Sequence, residues 1–184
     1  MSDLVERAVA FATKAHEGQF RKGGAGIPYI THPLSVANRL RRHGVVDEVT
    51  IAAAVLHDVM EDCGVTFDVL HETFGIDVAA VVQEVSDPPG LSKSQAKKRQ
   101  LKNAPTMSLR ARFIKIADKT DNEDDIAVNP PGWSPESIIG YTKSSMDIVA
   151  ALDVPHPEMV AEFHAAAHRA IESARAKIAE MEKA

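Results

Sequence analysis

The sequence predicts a single all-α domain, on three observations. Apolar residues recur at helical spacing in almost every segment, no stretch shows the strict alternation of a half-buried strand, and Pro-Gly clusters cut the helical runs apart. Residues 3–17 place Leu4, Val5, Ala8, Phe11, Ala12 and Ala15 on one helical face. A loop over Gly18 to Thr31 carries Gly23, Gly24, Gly26 and Pro28. Pro33 suits the first turn of the next helix and Gly44 its end. Asp47 caps a helix predicted to run to about Asp62, and Ile51-Ala52-Ala53-Ala54-Val55-Leu56 makes that helix apolar on nearly every side, hence central and buried. Thr66 caps a short helix ending at Gly75, and residues 76–86 form another. Asp87-Pro88-Pro89-Gly90 breaks the chain before a charged helix over 94–102. A long helix over 107–127 follows, then the break Asn129-Pro130-Pro131-Gly132. Ser134 and Pro135 open a further helix as cap and first-turn residue. The last helix, about 157–182, bears the stripe Met159, Val160, Phe163, Ala167, Ile171, Ala174, Ile178 and Met181, which either closes the core or forms a homodimer face.

Bulk properties narrow the function classes. A chain of 184 residues, 45% hydrophobic, suits one domain over residues 1–184 with a sizeable core. A net charge of −5 supplies no basic field for nucleic acid, so an anionic ligand must be met by local basic clusters. The single cysteine, Cys63, makes neither an internal disulfide nor a cysteine-based zinc site. No apolar run approaches the roughly 20 residues that span a bilayer. The start Met1-Ser2-Asp3-Leu4-Val5-Glu6 lacks the basic and apolar pattern of a signal peptide, so the expected location is cytoplasmic.

The segment that carries chemistry is His57-Asp58-Val59-Met60-Glu61-Asp62. On a continuous helix, 57 and 61, 58 and 62, and 58 and 61 are near neighbours, so all four ionisable groups crowd one helix end. Burying them unpartnered is costly, and a cation offsets that cost. His32 opens a helix after the glycine-rich loop, in Pro28-Tyr29-Ile30-Thr31-His32-Pro33. Asp118 ends the apolar run Ile114-Lys115-Ile116-Ala117, with Asn122 one turn further on the same face. Two imidazoles and two carboxylates suit a first-row divalent ion such as manganese, iron or zinc better than calcium. Such an ion acidifies a bound water, which Glu61 and Asp62 are placed to orient or deprotonate.

The ordered set His32, His57-Asp58 and Asp118 resembles the H…HD…D signature of HD-domain phosphohydrolases. The resemblance is closer to the hydrolase domains of Rel/Spo-type alarmone enzymes, and to their free-standing small alarmone hydrolases. It rests also on His16-Glu17-Gly18-Gln19-Phe20-Arg21-Lys22, Glu84-Val85-Ser86-Asp87, Lys115-Ile116-Ala117-Asp118-Lys119 and Pro131-Gly132-Trp133-Ser134, and runs from about residue 3 to 152. It implies a compact multi-helix HD-domain bundle, on which the C-terminal helix packs. It implies one bound divalent metal, usually manganese, and removal of the 3′-diphosphate from guanosine tetraphosphate or pentaphosphate, a small guanine-nucleotide substrate, to give pyrophosphate and GDP or GTP. By position, His32, His57, Asp58 and Asp118 would be the metal ligands. Glu61 and Asp62 would activate water. Arg21, Lys22, Lys97, Lys98, Asn122 and Tyr141 would bind substrate, with Arg99 in the same basic stretch.

Read from the residues alone, Arg21-Lys22 and Lys97-Lys98-Arg99 also fit solvated surface, Tyr141 fits a core position, and Trp133 fits packing around the Pro-Pro-Gly turn. His16 is the remaining histidine nearest the site, and Cys63 reads as packing. Thr120-Asp121 and Glu123-Asp124-Asp125 depart from the family pattern and are expected to add negative charge beside the anion site. Two other readings stay open: an HD-type phosphatase for another nucleotide, such as a 2′- or 3′-phosphorylated one, and a nucleotide-binding module without turnover.

Overall fold

Ten α-helices and one short 3₁₀ turn make up the computed structural model, which describes residues 2–183. Among the described residues there is no strand, only an isolated bridge pairing Phe20 with Pro28 across the glycine-rich loop. The helices are α1 (Asp3–Ala15), α2 (Thr31–Arg42), α3 (Glu48–Leu56), α4 (Val59–Cys63), α5 (Phe67–Phe74), α6 (Ile76–Val85), α7 (Lys93–Asn103), α8 (Leu109–Val128), α9 (Pro135–Leu152) and α10 (Pro157–Met181). Their starts follow the capping chemistry in the sequence. The side chains of Asp47, Thr66 and Ser134 accept from the backbone N–H groups of Thr50, Val69 and Ser137. The charged helix begins one residue before the predicted start, because Ser92 and Gln95 form a reciprocal capping box there.

α3 is the buried centre. Every residue from Thr50 to Leu56 is buried, and α1, α2, α6 and α8 pack around it. α10 lies along α8 and α9, so its stripe closes the core. Met159, Phe163, Ala167 and Ala174 are buried, whereas Ile171 and Ile178 are partly covered and Met181 projects into solvent at the far end.

One correction concerns the helix that was expected to continue to Asp62. It ends at Leu56, and a new short helix starts at Val59. His57 accounts for the break. Its imidazole Nδ1 lies 2.8 Å from the Ala54 carbonyl oxygen, so the side chain satisfies one of the carbonyls freed at the end of α3. Gly64, at φ 68°, then stops α4 in the left-handed conformation that glycine adopts without strain. The kink separates His57 and Asp58 from Glu61 and Asp62, so the first pair turns inward while the second stands at the exposed rim.

Candidate metal centre and active site

Three helical elements converge on one point. α2 brings His32 from its first turn, the α3–α4 corner brings His57 and Asp58, and the middle of α8 brings Asp118. Ligand atoms of His32, His57 and Asp118 lie within 4.8 Å of one another, and all three residues are buried. His32 Nε2 is 3.3 Å from Asp118 Oδ1 and 3.5 Å from Asp58 Oδ2, and His57 Nε2 is 3.1 Å from Asp58 Oδ2.

Both imidazoles are oriented by their other nitrogen. A carbonyl only accepts, so His57 Nδ1 carries the proton given to Ala54, and Nε2 points its lone pair at the cluster. His32 Nδ1 donates in the same way to Asp121 Oδ2 at 2.7 Å, while Asp121 accepts a further bond from the Ser35 hydroxyl. His57 Nε2 is buried with no hydrogen-bond partner of proper geometry. An orphaned imidazole nitrogen facing two carboxylates fits a divalent ion, with nitrogen and oxygen donors in the proportion a first-row metal accepts.

The electrostatics agree. Burial alone would raise the Asp118 carboxyl, but the facing imidazoles of His32 and His57 and the charges of Lys119 and Lys115 hold it well below the usual range. Burial opposes ionisation of Asp58 too, and His57 and His32 overcome it. Tyr29 donates its hydroxyl to Asp58 Oδ2 at 2.8 Å; burial and the charges of Asp58 and Asp62 push its phenol far above the ordinary value, so it remains a donor. Burial likewise raises Glu61, partly opposed by Lys115 and by the Asp87 N–H that donates to its carboxylate at 2.6 Å.

A cavity of about 250 Å³ opens over the cluster. Its lining carries the acids Asp58, Glu61, Asp62, Asp118 and Asp125 and the bases Arg21, Lys22, Lys115 and Lys119, with Asn122, Trp133 and Tyr141 among them. Arg21 is held in place, with Nε 2.9 Å from Asp125 and Nη2 3.1 Å from Asn122 Oδ1, and its guanidinium lies 5.8 Å from the Tyr29 ring centre. Asn122 in turn donates to Asp118 at 2.6 Å. Trp133 and Tyr141 meet edge to face and form the wall to an adjoining cavity of about 590 Å³, whose lining includes Lys93, Ser94 and Lys97. Trp133 therefore faces both cavities, in contrast to a purely packing role at its turn.

The predicted basic stretch divides. Lys97 reaches the adjoining cavity, Lys98 is exposed and lines neither, and Arg99 is tied to Asp87 at 2.6 Å and to the Ser86 carbonyl. His16 is buried against Gln19, Cys63 and Tyr29, away from the cluster. The acidic run does not confront the anion side unpaired: Asp121 holds His32, Glu123 accepts from Thr142, Asp124 pairs with Arg39 and Arg169, and Asp125 pairs with Arg21. Asp121, Tyr29, Lys115 and Lys119 are the site residues that spacing did not single out. Lys115 sits in the run that ends on Asp118, where a lysine among apolar residues signals burial, and Lys119 directly follows that run; Asp121 and Tyr29 carry no local signal.

The HD domain family model matches residues 8–153. The chain belongs to the HD-domain family. Among HD-domain relatives, a guanosine-3′,5′-bis(diphosphate) 3′-pyrophosphohydrolase MESH1 from Xenopus tropicalis is 38% identical over 151 residues, which are 81% of this chain and 84% of that one. Its Homo sapiens counterpart is 38% identical over 79% of this chain and 82% of its own. A solved HD-domain structure, described as a metazoan ortholog of SpoT that hydrolyzes ppGpp and plays a role in starvation responses, superposes with a TM-score of 0.88 at 33% identity, covering 93% of this chain and 98% of that one.

Proposed function

We propose that this HD domain hydrolyses the 3′-diphosphate of guanosine tetraphosphate or pentaphosphate, releasing pyrophosphate and GDP or GTP. The observation that carries the reading is the convergence of His32, His57, Asp58 and Asp118 beside a cavity lined by both acidic and basic side chains. Relatives of similar length bear that activity in their names. His32, His57, Asp58 and Asp118 would hold one divalent ion, manganese in this reading. When bound, the ion supplies Lewis acidity, lowering the pKa of a water and offsetting charge on the phosphoryl oxygens.

Glu61 and Asp62, at the rim of the cluster, accept the proton of the attacking water. The water oxygen bonds to the phosphorus that carries O3′, the P–O3′ bond breaks, and a proton ends on the 3′-oxygen. Arg21 spends its donors on Asp125 and Asn122, so it presents a flat guanidinium face to the base, while exposed Lys22 acts on the phosphates as a point charge. Asn122 and Tyr141 bound the nucleoside. Lys97 adds a cation to the adjoining cavity; Lys98 contributes only to the surrounding field. No helix among the described residues is long and apolar enough to cross a membrane, and a small nucleotide substrate fits a cytoplasmic enzyme.

Glu61→Gln and Asp62→Asn test the assignment. Each is expected to lower the manganese-dependent hydrolysis rate by about 10²- to 10⁴-fold, read as pyrophosphate release. Undiminished hydrolysis in both would reject the mechanism. Turnover of other 2′- or 3′-phosphorylated nucleotides in preference to the guanosine compound would redirect the substrate while keeping the centre.

A further inference from the structure

From α8, the cavity receives Lys115, Asp118, Lys119, Asn122, Asp125 and Ile126, a continuous helical stripe. Lys115 and Lys119 are 5% and 8% exposed, and lysine is almost never buried without a partner. Among the described residues neither makes a salt bridge: Asp118 and Glu61 feel the charge of Lys115, and Asp118 and Glu123 that of Lys119, from beyond contact distance. Asp118 is engaged with His32, His57 and Asn122, and Glu61 with the Asp87 N–H. The Lys119 ammonium rests instead over the Tyr141 ring, 5.9 Å from its centre. Two buried cations thus line a small cavity without a direct salt bridge to a carboxylate.

We infer that Lys115 and Lys119 form an anion clamp for the diphosphate that is released, and so determine that the enzyme removes a diphosphate rather than a single phosphate. The inference rests on the proposed function and adds the residues that read the length of the phosphate chain. Charge makes the clamp necessary. Asp58, Glu61, Asp62 and Asp118 would repel a diphosphate, and a divalent ion offsets only part of their charge. Lys115 and Lys119 supply the remainder within the cavity walls, where screening by water is weak. They stand one helical turn apart on the same face of α8, so the cavity offers two cations to the two phosphoryl groups. Arg21 does not serve this purpose, because Asp125 already neutralises it.

The test compares manganese-loaded wild type with Lys115→Gln and Lys119→Gln on two substrates, guanosine 5′-diphosphate carrying either a 3′-diphosphate or a 3′-monophosphate. Each variant is expected to lose about 10- to 100-fold in kcat/KM on the 3′-diphosphate. Reaction with the 3′-monophosphate should change far less, so the preference collapses. If the monophosphate is not turned over, its inhibition constant against the diphosphate serves in place of its rate, and should be unchanged. Lys115→Met and Lys119→Met, which keep the apolar stems, replace any glutamine variant whose unfolding midpoint shows that it fails to fold. Manganese affinity, read by isothermal titration, should stay near wild type. Equal losses on both substrates, together with weakened manganese binding, would mean that the lysines merely balance the charge of the metal centre and would overturn the clamp. No loss on either substrate would also overturn it. A wild type that turns over neither compound would instead reject the proposed function beneath it.

Discussion

Asp121 illustrates how much of the site is decided by single side chains far apart in sequence. Its carboxylate meets His32 across 89 residues, takes a second bond from Ser35, and lies 3.9 Å from the Arg39 guanidinium. Burial disfavours its charge, but the His32 hydrogen bond and charge, the Ser35 hydrogen bond and the Arg21 charge together hold its carboxyl below the usual range. A carboxylate behind a ligating imidazole fixes the tautomer and strengthens the donor nitrogen. Asp121→Asn is therefore expected to weaken manganese binding by about 10- to 100-fold, measured by isothermal titration, with the fold intact. Unchanged affinity would show that packing alone orients His32. In the sequence Asp121 read only as a departure that adds negative charge, because its partner is invisible to spacing. His32, His57, Asp58 and Asp118 were legible for the opposite reason: each is an ionisable group in an apolar or loop-to-helix context that calls for a partner. The basic stretch could not be apportioned from the sequence, since a run of three basic residues on a helix sends its members in different directions, here to a cavity, to solvent and to Asp87.

At the scale of elements, caps and breaks were legible because their chemistry is local. Asp47, Thr66 and Ser134 each satisfy an N–H three residues ahead. The kink after Leu56 was not legible, because propensity favours one continuous helix, and only the capture of the Ala54 carbonyl by His57 ends it. The Asp47 cap offers a test with a defined pH dependence. Burial pulls its carboxyl up, but the Thr50 and Arg110 hydrogen bonds and the Arg110 charge together outweigh it, so its folded-state pKa lies below the unfolded value. The stabilisation is present above the unfolded pKa and is lost as pH falls through the folded one. Asp47→Ala should thus cost about 1 kcal/mol at neutral pH, with wild type and variant converging below about pH 4, by urea unfolding. A cost that does not diminish in acid would contradict the role of its charge.

At the scale of the molecule, α3 is the apolar axle around which the ligand-bearing elements are arranged, and α10 seals α8 against solvent from the far side. The all-α class was evident from periodicity, whereas the choice between core closure and a dimer face for α10 was not, since an amphipathic stripe is compatible with both. Because the ligand set joins α2, the α3–α4 corner and α8, a bound ion ties separate elements together and should stabilise the fold as a whole. Manganese at 100 times its dissociation constant is expected to add about 2.7 kcal/mol, seen as a raised unfolding midpoint that His57→Ala abolishes. A midpoint indifferent to manganese would argue against the assembled centre.

The most direct test is hydrolysis of guanosine tetraphosphate by the full chain, first with manganese and then with excess chelator, the products being separated by chromatography. Manganese-dependent formation of pyrophosphate and GDP, abolished by chelator, is the predicted result. Absence of turnover by folded protein with any divalent ion would contradict it.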